Sequence, residues 1–276
     1  MCVLAYWTYK ADYAQSSADT RKKIKPKHFK FNEQIKAFIK DKIQEEWSPE
    51  QISGYAKRHS IFSISHERIY WFILSDKQKG GNLYKHLRHQ HKKYRKRYGS
   101  PKRHGPIKNR RFIDERPAIV AEKQRIGDWE IDTIIGKNHK QVIVSIVERR
   151  TKKTVLAKVK SKHASLVSTS IINSLTSISD RVFTITGDNG VEFAHHEKIS
   201  RALNADFYFA HPYSSWERGL NENTNGLIRQ YLKKGSDFNC VTDKLLDDIM
   251  YRLNNRPRKT LGYVTPNELF YETNHP

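Results

Sequence analysis

Apolar residues recur along the first third of the chain at the three-and-four spacing of a helix. Ile35, Phe38, Ile39 and Ile43 predict one over roughly residues 32–46. Ser48, Pro49 and Gln51 then supply an N-cap hydroxyl, a residue whose missing N–H does no harm at the first helical position, and a side chain that reaches back to the cap. Ile52, Tyr55 and Ala56 form the inner face of the helix so begun. Ser65 caps a third helix, His66 to Asp76, with Ile69, Phe72 and Ile73 turned inward. Three short helices with a brief break before the last predict a helix-turn-helix. In such a unit the opening residues of the final helix, here His66, Glu67 and Arg68, face the major groove, with Tyr70 and Trp71 behind them.

Beyond residue 128 the period changes. Trp129–Gly136, Gln141–Arg149 and Thr154–Lys160 are rich in β-branched residues and predict an antiparallel meander. A helix over 164–178, a strand over 181–186, a helix over 192–203 and a strand over 205–210 follow. From Ser214 the pattern reads as one long helix to Leu232, and Thr242 caps another that ends near Asn255. Strands first and alternation afterwards predict an α/β fold, a mixed sheet covered by helices, behind a small all-α domain.

Charge adds a partner to this picture. The chain of 276 residues carries 51 Lys+Arg against 29 Asp+Glu, a formal net charge of +22. Nucleic acid is the commonest polyanion to meet such a surface, and charge alone does not separate a DNA enzyme from an RNA binder. Between Lys77 and Arg111 there are 14 Lys/Arg and no acid. Such a run repels itself unless it is neutralised. It reads as a linker that tracks a phosphate backbone, with Lys92, Lys93, Arg95, Lys96 and Arg97 as contacts and Tyr94 and Tyr98 interleaved. A solvated tether that orders on DNA is the compatible alternative. Cys2 and Cys240 are too few and too far apart for a zinc knuckle or a disulfide framework, which fits a cytoplasmic protein. No apolar run approaches a membrane span, and the opening residues lack the basic start of a signal peptide.

The chemistry rests on carboxylates. Cleaving a phosphodiester requires charge on both sides of phosphorus, which two Mg²⁺ ions about 3.5–4 Å apart supply when acids hold them. Asp132 lies in the first strand between Ile131 and Thr133, where an acid needs compensation. Asp128 and Glu130 share its face and remain rivals. Asp188 follows a strand in Thr186-Gly187-Asp188-Asn189-Gly190, which is also an ordinary turn sequence. Glu222 lies in a stretch whose Gly, Asn and Ser content serves a helix poorly, with Glu217 as competitor and Arg229 two helical turns on.

In its motifs the chain resembles the insertion-sequence transposases of the family numbered thirty, relatives of retroviral integrases. The resemblance rests on Trp47-Ser48-Pro49-Glu50-Gln51-Ile52-Ser53-Gly54, Gly127-Asp128-Trp129-Glu130-Ile131-Asp132-Thr133 and Gly187-Asp188-Asn189-Gly190. It continues through Pro212-Tyr213-Ser214-Ser215-Trp216-Glu217-Arg218-Gly219, Asn221-Glu222-Asn223-Thr224-Asn225-Gly226-Leu227-Ile228-Arg229 and Asn255-Arg256-Pro257-Arg258. It implies a ribonuclease H-like core, with Asp132, Asp188 and Glu222 as catalytic residues and metal ligands. The 33 residues between Asp188 and Glu222 match the family spacing and select Glu222 over Glu217. It further implies two Mg²⁺ ions, with Mn²⁺ suited to the same oxygen ligands, and strand cleavage followed by strand transfer. The partners implied are the element's inverted repeats and target DNA, handled by a homo-oligomer, with no membrane role. Arg218, Asn225 and Arg229 join His66, Arg68 and the linker as expected DNA contacts, and Trp216 either positions the strand or packs in the core.

The domains expected are an extension over 1–31, a helix-turn-helix over 32–76, a basic linker over 77–126 and a catalytic domain over 127–276. Two departures stand out. Ile131 replaces an expected Gly, and residues 6–21 read as the tail of a further helix-turn-helix. The rival functions are a nuclease that hydrolyses without joining and a regulator that binds DNA without cutting it.

Overall fold

A computed structural model describes residues 10–24, 31–88, 107–137, 140–212 and 214–272. Two compact units divide the chain, Met1–Phe38 and Ile39–Pro276. Helix α1 spans Ala11–Ile24, and α2 spans Glu33–Gln44. Helix α3, Pro49–Arg58, starts as the sequence dictates: Ser48 accepts from the Gln51 backbone N–H, and the Gln51 side chain accepts from the Ser48 N–H. Helix α4, His66–Gln78, is capped by Ser65. Helices α3 and α4 pack together, and Ile39, Ile43, Ile52, Ala56, Ile69 and Ile73 are buried. Helix α5, Ala118–Glu122, leads to the sheet.

Strands β1 (Asp128–Ile135), β2 (Val142–Glu148) and β3 (Thr154–Val159) form the antiparallel meander. Helix α6 (Ala164–Thr176), strand β4 (Thr184–Gly187), helix α7 (His196–Leu203) and strand β5 (Asp206–Phe209) complete a five-stranded sheet in the order β3-β2-β1-β4-β5. Strand β4 runs parallel to both β1 and β5. Helices α8 (Gly219–Ile228), α9 (Asp243–Asn254) and α10 (Pro266–Glu272) follow.

The period of two along β1 sorts its side chains between two cores. Trp129 and Ile131 join Val167 and Ile171 of α6 and Ile199 of α7 on one face. Ile134 joins Leu227 and Ile228 of α8 and Ile249 and Leu253 of α9 on the other. Asp132, two residues before Ile134, therefore points toward α8. This is a mixed sheet covered by helices on both faces, the α/β fold expected.

Two helices differ from expectation. The long helix over 214–232 is a 3₁₀ turn, Ser215–Arg218, followed by the shorter α8. Arg229 ends it: its guanidinium donates to the Leu232, Lys233 and Ile135 carbonyls, so the chain turns back on β1. The helix over 192–203 is likewise a 3₁₀ turn, Val191–Phe193, and then α7, closed by Asn204 in the left-handed region at φ 48°.

Candidate active site

Strands β1 and β4 set the two aspartates side by side. The parallel register pairs Glu130 with Thr186, and two residues further on stand Asp132, within β1, and Asp188, just past the end of β4. The Asp-Asn-Gly turn is fixed in place. Asp188 Oδ1 accepts from the Gly190 N–H at 2.9 Å, and Asn189 Oδ1 accepts from Arg110 at 2.6 Å.

Both aspartates face one cation. Arg218 Nη2 lies 3.4 Å from Asp188 Oδ2 and its Nη1 3.8 Å from Asp132 Oδ1. Asp132 also accepts from its neighbour's N–H, at Thr133, at 2.8 Å and from Asn225 Nδ2 at 2.7 Å. Asn225 is itself held by a 3.0 Å bond from Ser145 Oγ. Burial raises the Asp132 carboxyl above its ordinary range; Arg218 opposes the rise and Asp188 adds to it.

Glu222, Asn225 and Arg229 recur on one face of α8 and its end. With Asp132, Arg218, Asn221 and Gly226 they line a cavity of about 330 Å³. The rivals are engaged elsewhere. Asp128 is buried against Arg125 at 3.0 Å and Thr184 at 2.8 Å. Glu130 pairs with Arg149 and accepts from the Asn221 N–H. Glu217 accepts from the His211 N–H and lies 2.9 Å from His211 Nδ1.

Carboxylate oxygens are the donors that hard divalent cations take, and the Arg218 guanidinium stands in for such a charge between two of them. The residues fit a cation at Asp132 and Asp188. Among the described residues, no three His, Cys, Asp or Glu side chains are gathered closely enough to hold a metal ion.

One buried acid here escaped sequence reasoning. Glu192, 1% exposed, accepts from Thr133 Oγ1 at 2.9 Å and pairs with Lys162 at 2.6 Å. Its Oε2 is buried with no hydrogen-bond partner among the described residues. It faces Gly190: a Cβ there would lie 2.3 Å from Glu192 Oε2 and 2.8 Å from Asp188 Oδ1. The only signal in the sequence is an acid flanked by Val191 and Phe193.

Of the expected DNA contacts, His66 and Arg68 are exposed on the first turn of α4, with His66 3.0 Å from Glu67. Trp216 is 74% exposed, which removes the core-packing alternative. Lys92, Lys93, Arg95, Lys96 and Arg97 lie outside the described residues.

The chain is 48% identical over 263 residues to the transposase for insertion sequence element IS4351 of Bacteroides fragilis, covering 95% of this chain and 81% of that one. It is 33% identical over 273 residues to transposase InsI for insertion sequence element IS30A of Escherichia coli (strain K12), covering 95% and 71%. The chain belongs to the IS30 family of transposases. No protein-family model matches it. Among solved structures, the transposase is similar to the catalytic core domain of BIV integrase, with a TM-score of 0.43 and 21% identity over 55% of this chain and 97% of that one. It is also similar to a chain of a simian T-cell lymphotropic virus intasome, with a TM-score of 0.46 and 19% identity over 64% and 62%. Its transposase relatives make it a polynucleotidyl transferase, of a family that implies a divalent metal. No helix among its described residues is long and apolar enough to cross a membrane.

Proposed function

We propose that Asp132, Asp188 and Glu222 form the catalytic set of this transposase and hold two Mg²⁺ ions for strand cleavage and strand transfer. The observation that carries the reading is the convergence of Asp132 and Asp188, from adjacent parallel strands, on the single guanidinium of Arg218. When bound, the cations supply the positive charge that acidifies water and balances the charge developing on phosphorus. The chain's own residues do the positioning. Asn225 and the Thr133 N–H orient the Asp132 carboxylate. Arg218 neutralises the aspartate pair until another cation takes its place, and it then stands ready to meet phosphate. Arg229, on the wall of the same cavity, meets the approaching strand. Water cuts the strand, and the freed 3′-hydroxyl attacks target DNA. Both are in-line attacks by oxygen on phosphorus, so one site serves both.

The helix-turn-helix over 32–76 and the basic linker over 77–126 hold the element's inverted repeats, and residues 127–276 cut and join them. Two DNA ends call for a homo-oligomer, acting in the cytoplasm. Purified protein mixed with labelled element ends and Mg²⁺ tests the reading. Asp188→Asn lowers cleavage at least a hundredfold and leaves DNA affinity within about twofold. Cleavage that survives the substitution overturns the assignment. Joined products from a pre-cut end distinguish transfer from hydrolysis alone.

A further inference from the structure

A second cavity lies on the other flank of α8. It measures about 380 Å³ and shares no lining residue with the Asp132–Glu222 cavity. Leu220, Asn223, Thr224 and Leu227 form its α8 wall, Lys123, Lys152 and Arg258 approach from other segments, and Trp216 stands at its edge. We propose that this cavity receives one unstacked nucleotide of the DNA strand, its phosphate among Lys123, Lys152 and Arg258 and its base on the face of Trp216. The inference rests on the chain acting on DNA and not on which carboxylates cut it.

Charge points to phosphate. Two acids line the cavity, and each is already engaged, Glu130 by Arg149 and the Asn221 N–H, Glu217 by His211. Lys152 donates to the Arg149 carbonyl at 2.6 Å and, among the described residues, has no carboxylate at salt-bridge distance. Arg258 donates to the Leu253 carbonyl at 2.8 Å, while its buried Nε has no hydrogen-bond partner among the described residues. A buried guanidinium N–H left unmatched costs free energy, and an anionic oxygen would satisfy it. Burial, with Lys123 nearby, pulls the Lys152 ammonium down to about 8, and burial, with Arg256 nearby, pulls Arg258 down to about 9. Both groups gain from an incoming anion.

The aromatic ring points to a base. Trp216 is 74% exposed on a 3₁₀ turn that leads directly into α8. A duplex hides the faces of its bases, so an isolated indole finds a stacking partner only where a base has left the helix. The cavity is of the size that takes small ligands, about 300–1,000 Å³, and far too narrow for a duplex. One α-helix, roughly 10 Å across, separates it from the Asp132–Glu222 cavity. A strand cut at that cavity therefore has a near neighbour of the cut within reach of this one.

Fluorescence anisotropy in EDTA tests this, with a short labelled duplex either blunt or carrying a single-stranded thymidine overhang. The wild-type protein binds the overhang about tenfold more tightly, the size of one base–aromatic stack. Trp216→Ala abolishes that preference and leaves blunt affinity unchanged, and Trp216→Phe keeps most of it. Lys123→Ala with Lys152→Met weakens overhang binding and makes it less dependent on salt. Equal wild-type affinity for the two DNAs, or a preference that survives Trp216→Ala, overturns the proposal. Neither result bears on the catalytic carboxylates.

Discussion

Glu192 is a buried acid and Lys152 a half-buried base. Glu192 touches Thr133, the neighbour of Asp132, and its second oxygen, without a hydrogen-bond partner among the described residues, lies toward Gly190 of the Asp188 turn, so it is expected to brace both aspartates from behind. Glu192→Gln preserves shape but leaves Lys162 without its counter-charge. End cleavage is expected to slow about 10–100-fold, as when the supporting partners of metal ligands are removed, while far-UV circular dichroism stays unchanged. An unaltered rate would mean the brace has no role. Lys152 makes a prediction about pH. Its folded pKa of about 8 lies below the ordinary 10.5 because burial and Lys123 oppose its charge, against the attraction of Glu148 and Glu130. As pH falls, the unfolded chain takes up this proton first, so the residue costs stability below pH 8, and the cost fades as pH rises toward 10.5. Lys152→Met is therefore expected to raise Tm at pH 7 by the equivalent of about 1 kcal/mol, discounted for partial exposure. The gain shrinks in scans at higher pH; a gain independent of pH would reject the electrostatic cause.

At the scale of elements, the edge of the sheet is closed by a helix. Among the described residues strand β3 pairs only with β2, and α9 lies along its other side. The Asn254 side chain accepts from the Thr154 N–H and donates to the Thr154 carbonyl, both at 2.8 Å, as a neighbouring strand would. Asn254→Leu leaves two buried backbone groups unmatched and is expected to cost about 2–4 kcal/mol in urea unfolding. A loss under about 0.5 kcal/mol, within the usual range of a surface substitution, would show that water reaches this edge. Elements governed by local chemistry were legible in the sequence. The Ser48 cap box, the Thr242 cap of α9 and the β-branched meander stand as expected. Where the outcome depends on a distant partner, local pattern fell short. Helix α8 stops early because Arg229 reaches the Ile135 carbonyl, 94 residues away in the chain. The family resemblance brought Asp132 and Asp188 forward but did not place Arg218 between them. The two-residue period left Asp128 and Glu130 level with Asp132, and in the structure their pairs with Arg125 and Arg149 set them apart.

Across the larger unit, the segment after α9 ties the small helices to the sheet. Arg256 reaches Glu46 at 3.4 Å and the Tyr231 hydroxyl at 2.9 Å, Lys259 reaches Glu50 at 2.6 Å, and Arg58 donates to the Gly262 carbonyl. At the centre of this junction Gly54 lies flat against the ring of Tyr263, and a Cβ at position 54 would fall 2.3 Å from it. Only a hydrogen fits on that side of residue 54 with the ring where it is. Tyr263 and Gly262 belong to the same short turn as Arg258 and Thr260, which wall the cavity beside Trp216. One methyl group at residue 54 would therefore act as a shim, pushing Tyr263 and with it the turn that carries that wall.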